Sequence, residues 1–558
     1  FGSMGKHLGL VAGVAVVGLT TLLAGCGNNS TSTTNKTLNL VQASDPTTVD
    51  VNDVRNANEF NVLNATQEGL FRVTSKNGKD SLKLAQAKSY TISKDGKTYT
   101  FKLRHTKWSD GKAVTAQQFV DSIIRELTPK NGFAYASMAY DIQGAEAFNT
   151  GKGTANQVGA KALDQHTLQI TLTNKTPYFL KKLSSVVFYP VRLDKINKVG
   201  TKKWKTDWQD QVYNGAYKMT SWKTNGKIVL KKNSKFWNAK KVNLTKVNIT
   251  TTAKDSTMGS LLQSGQLDAV LTSGANASDF NKLASSNKIT KRTQAGGSTS
   301  FIVFNQHTGG TSKLLKNTKI REALSLAINR NAYNKAINGG QGQAVYSFVP
   351  NSIDVNTTNY HDYAGNVLTS ALKQYNSSAK LQALFKAGLK ETGQSTDLSK
   401  VTLNYLTTSG DDTGTFLKQQ YKSKLGINVE ITTAPDDASF IADRNANKYD
   451  LLANAWNGDY DDPSTFLNLW VSTGGFQKFF GGYDSTEYDK LYGTLADTAD
   501  TQKRLKIYSQ LEKLVVAKDF GVAPVSGAKN QIYTNKNLKN FQTPVFGPDY
   551  DYVYANKK

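Results

Sequence analysis

The chain has 558 residues, of which 38 % are hydrophobic and 10 % aromatic, with a mean hydropathy of -0.46. That is too long for one ordinary domain, enough for two or three, and too polar for a polytopic membrane protein. Sixty-nine lysines and arginines against 43 aspartates and glutamates leave a net charge of +26. The lysines are scattered over nearly every segment, in short pairs such as Lys202-Lys203 and Lys240-Lys241, with no zinc finger or RNP-like motif, so no nucleic-acid partner is expected. Such a surface serves solubility or faces anionic lipid, wall polymer or glycans.

One apolar segment stands apart, Leu8 to Ala24, behind the short basic head Met4-Gly5-Lys6-His7. A basic head, an apolar core and small residues before a cut describe an export signal rather than a spanning helix. Residues 1–3 read as a cloning remnant, which makes 1–25 the removed segment. Leu23-Ala24-Gly25-Cys26 resembles a lipobox, and the resemblance makes Cys26 a lipidation site and the first residue of the mature chain. The other reading is a buried thiol at the end of a weak spanning helix. Residues 26–36 form a lipidated tether rich in Ser, Thr and Asn. Cys26 is the only cysteine, so no disulfide, Cys-based zinc site or thiol nucleophile is expected in the exported body.

After the tether, Thr37 to Val41 alternates like a strand and Ser44-Asp45-Pro46 turns the chain. Asn58 to Phe71 reads as a helix stopped at Gly69. Asp95-Gly96-Lys97 is a hairpin turn into the alternating strand Thr98 to Arg104. Thr115 with Gln118 makes a capping box, and Phe119, Val120, Ile123, Ile124 and Leu127 share one helical face before Pro129. Tyr135 follows, then a strand at Thr167 to Leu172 and the run Pro177-Tyr178-Phe179-Leu180. Strand and hairpin patterns return at Asn214 to Met219 and Ile228 to Asn233, and Phe301 to Asn305 reads as a strand crossing toward a further domain. Helical stripes then dominate, one between Lys319 and Arg330 and another on Leu381, Leu384, Phe385 and Leu389. From Val401 strands and helices alternate in α/β fashion, and a last helix carries Leu505, Tyr508, Leu511, Leu514 and Val515.

The stretch Tyr449 to Leu467 is the most informative. A short apolar run ends at Trp456-Asn457, Gly458 breaks it, and Asp459-Tyr460-Asp461-Asp462-Pro463 forms an acidic, aromatic loop. This describes a buried strand delivering a carboxylate to a sheet edge, although Asp-rich turns are also common as solvated loops. No catalytic set accompanies it. Five dispersed histidines form no metal pattern, the three aspartates lack the ligand spacing of a calcium loop, and there is no nucleophile elbow or Walker loop. Neither enzyme, metal site nor cofactor is expected.

Taken together, the run Thr98 to Leu103 through Trp108-Ser109-Asp110-Gly111 to Val120, and the segment from Ile441 through Arg444, Trp456, Asp459-Tyr460 and Pro463 to Leu467, resemble the oligopeptide-binding proteins that feed ABC importers. The resemblance covers nearly the whole mature chain. It implies a two-lobed, three-domain α/β fold of the periplasmic-binding-protein type that closes on its ligand by hinge motion. Domain I would comprise 37–70, 190–305 and 541–558, domain II 71–189, and domain III 306–540. It further implies that Asp459 pairs with the ammonium of a bound peptide, that Trp456 and Asn457 supply backbone partners and cleft wall, that Tyr135 lies over the first ligand residue, and that Arg444 meets the carboxylate of a short peptide. From the residues alone Tyr135 also fits a core and Arg444 a helix surface. Some family members hold a second carboxylate-reading Arg three residues before the Trp; this chain has Ala453 there, so longer or end-blocked peptides are expected. The implied partners are an oligopeptide, the permease and ATPase subunits of an importer, and the membrane through the lipid anchor. The implied state is a monomer on the outer face of the cytoplasmic membrane, with a lean toward a Gram-positive cell. The rival reading is a surface adhesin that holds mucin, matrix or anionic glycans through its charge.

Overall fold

Two long antiparallel strands, Ile289–Phe304 and Val522–Asn535, carry the chain between two hydrophobic cores in the computed structural model, which describes residues 36–251, 255–273, 280, 282–283 and 285–558. The segment expected to serve export and Cys26 lie outside the described residues. One core gathers residues from Leu38 to Ala269 together with Leu538 to Ala555, and the other runs from Phe301 to Val525. The two long strands pair from Ile289 with Asn535 to Val303 with Val522, with a register shift between Ala295 and Thr299. The shift falls at Gly296-Gly297, between the half that gives Ile289 and Tyr533 to a smaller cluster with Val41, Met258 and Leu267 and the half that gives Phe301 to Phe304 and Val522 to Val525 to the second core. A bulge of this kind bends a strand and increases its twist.

The first lobe holds two four-stranded sheets. One is ordered Thr37–Val41, Lys246–Thr250, Lys227–Lys232, Tyr217–Trp222, and the other Ala87–Ile92, Thr98–Leu103, Thr167–Thr171, Ala160–Asp164. The helix Ala116–Leu127 packs on the second of these with its expected capping box formed, Thr115 N–H donating to Gln118 Oε1 at 3.0 Å. Phe119, Val120, Ile123 and Leu127 are buried as their spacing predicts. The neighbouring helix is Ala57–Thr66 and ends earlier than expected, since Gln67 is already extended. Gly69 is therefore not its cap. A side chain at Gly69 would place Cβ 2.5 Å from the Tyr189 ring, so the glycine serves close packing.

The second lobe is built on the sheet that the long strands enter, ordered Ala269–Ser273, Val522–Asn535, Ile289–Phe304, Leu451–Asn457, Thr402–Thr408, Asn428–Ala434. Thr402–Thr408 and Asn428–Ala434 are parallel and joined by the helix Thr413–Leu425, the crossover that parallel pairing requires. The single stripe expected between Lys319 and Arg330 is the helix Thr318–Leu326. Asn329 then caps a second helix, Arg330–Asn338, by accepting from Ala332 N–H. The two sheets of the first lobe and this large sheet make three domains in two lobes. Among the described residues no helix is long and apolar enough to cross a membrane.

Candidate functional site

The strand Leu451–Asn457 has two unlike flanks. On one it pairs along its whole length with Ile289–Phe304, from Leu451 opposite Phe304 to Asn457 opposite Ser298. On the other it meets Thr402–Thr408 only where Leu451 faces Tyr405. Gly458 N–H continues the paired flank by donating to Gly297 O at 2.9 Å. In an antiparallel pair that register turns the backbone groups of Ala453 and Ala455 to the opposite flank, where no strand pairs with them among the described residues. Ala455 N–H is held there by its neighbour's side chain, Asn454 Oδ1, at 2.8 Å. An open strand edge of this kind can add an extended chain by main-chain hydrogen bonds.

At the end of that edge the loop turns on Gly458. A Cβ there would meet the rings of Phe546 at 2.6 Å and Phe466 at 2.8 Å, so no other residue fits without displacement. Asp459 follows, half-buried, its N–H donating to Thr465 Oγ1 at 3.0 Å. Across the cleft stands Tyr135 of the first lobe, packed edge-on to Phe60 with ring centroids 6.3 Å apart. Burial pushes the Tyr135 hydroxyl pKa well up, and the negative charge of Asp459 pushes it further. The fold thus brings these two sequence-predicted residues within electrostatic reach of each other from opposite lobes.

The other two aspartates of the loop are committed to the protein. Asp461 accepts from Asp354 N–H at 2.8 Å and from Lys181 Nζ at 3.2 Å. Asp462 accepts from Ser464 N–H at 2.9 Å and from the Tyr508 hydroxyl at 2.6 Å, and that hydroxyl in turn accepts from Arg504 at 2.6 Å.

The remaining predicted residues are placed less directly. Trp456 is 1 % exposed, and its ring packs in the second core against Phe476 at 5.3 Å and Phe480 at 6.0 Å. Its side chain is a core side chain, and what this part of the strand turns to the open flank is the backbone of its neighbour Ala455. Arg444, on the helix Asp437–Asn445, is buried with its guanidinium 4.6 Å from the centre of the Phe479 ring. Its guanidinium donates to Asn445 Oδ1, at 3.3 and 3.4 Å. Burial lowers its pKa. Among the described residues no group of three or more His, Cys, Asp or Glu could hold a metal ion. Lys181 and Tyr178, which meet the loop from the first lobe, carried no sequence signal beyond the Pro177-Tyr178-Phe179-Leu180 run.

The model of the bacterial extracellular solute-binding proteins, family 5, matches residues 81–478. The chain belongs to this family. Family 5 membership makes it a binding protein rather than an enzyme. It is 30 % identical over 550 residues to the oligopeptide-binding protein OppA of Bacillus subtilis, covering 95 % of this chain and 96 % of that one. It is also 30 % identical over 569 residues to a dipeptide-binding protein of Lactococcus lactis, covering 98 % of each. Among solved structures it resembles the substrate-binding domain of an oligopeptide ABC transporter from Bacillus anthracis, with a TM-score of 0.72 at 27 % identity over 94 % of this chain and 99 % of that one. OppA of Listeria monocytogenes bound to peptide is similar to the same degree, with a TM-score of 0.72 at 27 % identity over 94 % and 99 %. The two-lobed architecture is therefore that of the family 5 receptors.

Proposed function

We propose that this protein captures extended oligopeptides between its lobes and delivers them to the permease and ATPase subunits of an ABC importer. The observation that carries the reading is Asp459, held at the end of an open strand edge and facing Tyr135 of the other lobe. An entering peptide adds to the edge beside Ala453 and Ala455, and its ammonium meets the Asp459 carboxylate in a charge-assisted contact worth about 1.5–3 kcal/mol. Main-chain pairing is indifferent to side chains, which supports tolerance of peptide sequence. Arg444 is the candidate for a ligand carboxylate, and Ala453 in place of a second Arg favours peptides longer than three residues. The names of the relatives, oligopeptide- and dipeptide-binding proteins, support peptide capture over the adhesin reading. Acylation of Cys26 would hold the monomer on the outer face of the membrane of a Gram-positive cell. In the three-part division, residues 37–70, 190–305 and 541–558 form the domain nearest the anchor, 71–189 the second and 306–540 the third.

Calorimetry tests the site. Asp459→Ala lowers affinity for free-amine peptides by about tenfold or more and leaves N-acetylated peptides nearly unaffected. Equal losses for both would remove the amine role.

A further inference from the structure

We propose that Tyr178 and Lys181 of the first lobe latch the loop carrying Asp459, so that lobe closure and placement of the ammonium receptor are one event, with Lys181 as the positioning residue. The proposal rests on the role given to Asp459 above. The helix Phe179–Leu183 is set firmly in the first lobe, because Phe179 and Leu183 are buried in its core. Lys181 reaches from this helix to the second lobe, donating to Asp461 O at 2.8 Å, Asn356 O at 2.9 Å and Asp461 Oδ2 at 3.2 Å. An ammonium has three protons, and all three acceptors belong to the other lobe.

Tyr178 adds an aromatic clasp. Its ring stacks on Tyr460 with centroids 5.1 Å apart and planes 13° apart, and the guanidinium of Arg504 lies 5.6 Å from its centroid. Tyr460 belongs to the first lobe's core although Phe466 and Leu467 belong to the second's. The loop is thus the place where the second lobe plugs into the first. Asp459 immediately precedes Tyr460, so whatever holds Tyr460 and Asp461 against the first lobe also sets the separation of Asp459 from Tyr135. Every acceptor and ring in the latch is a protein group, so the latch is complete without any contribution from ligand. Closure is then a property of the chain that the ligand adds to, and the latch sets how fast a bound peptide leaves.

The test uses the full chain with penta-alanine and N-acetyl-penta-alanine, reading lobe closure by small-angle scattering without peptide and dissociation rate by stopped flow. Lys181→Met is expected to expand the peptide-free particle and to raise the dissociation rate of both peptides by about fivefold or more, with Lys181→Arg restoring much of the difference. Tyr178→Leu, which keeps apolar bulk, is expected to shift both readouts the same way and serves if Lys181→Met folds poorly. Unchanged scattering and dissociation in both Lys181→Met and Tyr178→Leu would overturn the latch. Failure of the ammonium reading alone is distinct, because it would appear as equal losses for the two peptides in Asp459→Ala with the latch effects intact.

Discussion

The two halves of one short loop have opposite fates. Gly458 and Asp459 close the open edge of the strand Leu451–Asn457, and Asp459 stays half-buried facing Tyr135. Tyr460 to Ser464 is drawn into the protein, where Asp461 binds Lys181 and Asp462 binds Tyr508. Three carboxylates within four positions therefore do not form one acidic patch. Two spend their charge on holding lobes and helices together, and the third stands half-buried at the cleft, facing Tyr135. A loop can carry a ligand group with accuracy only when its other residues are anchored.

The contrast breaks most visibly at Asp462. Asp462→Ala strands the Ser464 amide and the Tyr508 hydroxyl, both buried, and is expected to lower stability by about 3 kcal/mol. Urea unfolding would show this as a lower midpoint at unchanged slope. The same change at Asp459, which is half-buried, is expected to cost clearly less; equal losses would erase the distinction between the halves.

A second way to sharpen the contrast is a carboxyl committed still deeper. Glu512 accepts from the amides of Phe348 and Val349 and from the Tyr360 hydroxyl, and burial pushes its pKa up to about 7 despite those bonds. A folded pKa above the unfolded value of about 4.3 means that the native chain holds the extra proton. The stability this contributes is complete below pH of about 4.3 and is lost as pH rises toward 7. Glu512→Gln is expected to flatten the stability profile across that window by an amount on the order of 2 kcal/mol. An unchanged slope would remove Glu512 as its source.

The smallest expected effect is at the boundary between the two halves. Gly458→Ala forces a Cβ against Phe546 and Phe466, with an expected loss of about 1–2 kcal/mol in stability. Weaker binding of free-amine and N-acetylated peptides alike should accompany it, since the whole loop shifts. Thermal melts paired with calorimetry would expose an undisturbed loop.

Much of this was legible in the chain before folding. Period-two alternation marked Thr98 to Leu103 as a half-buried strand, and the Thr115/Gln118 pair marked the start of the helix Ala116–Leu127, because both signals are local. The strand ending at Trp456-Asn457 and the break at Gly458 were likewise visible. The partners were not. Lys181 and Asp461 lie 280 positions apart, and no local pattern says which of three neighbouring aspartates such a lysine will meet. The family resemblance implied that Trp456 is cleft wall, but its ring is in the second core, and the Phe476 to Phe480 turn that receives it has no periodicity to announce it. Gly69 misled for a different reason. A glycine near the end of a helical pattern usually caps, and only the Tyr189 ring packed against it reveals that its role is space.

The central claim is that one carboxylate reads a protonated chain end, and the pH dependence of affinity tests it most directly. For a free-amine peptide, wild-type affinity should fall several-fold as pH rises past the amine pKa of about 8, while the N-acetylated peptide and the Asp459→Ala variant give flat profiles. Parallel profiles for free and acetylated peptides on the wild-type protein would contradict the account.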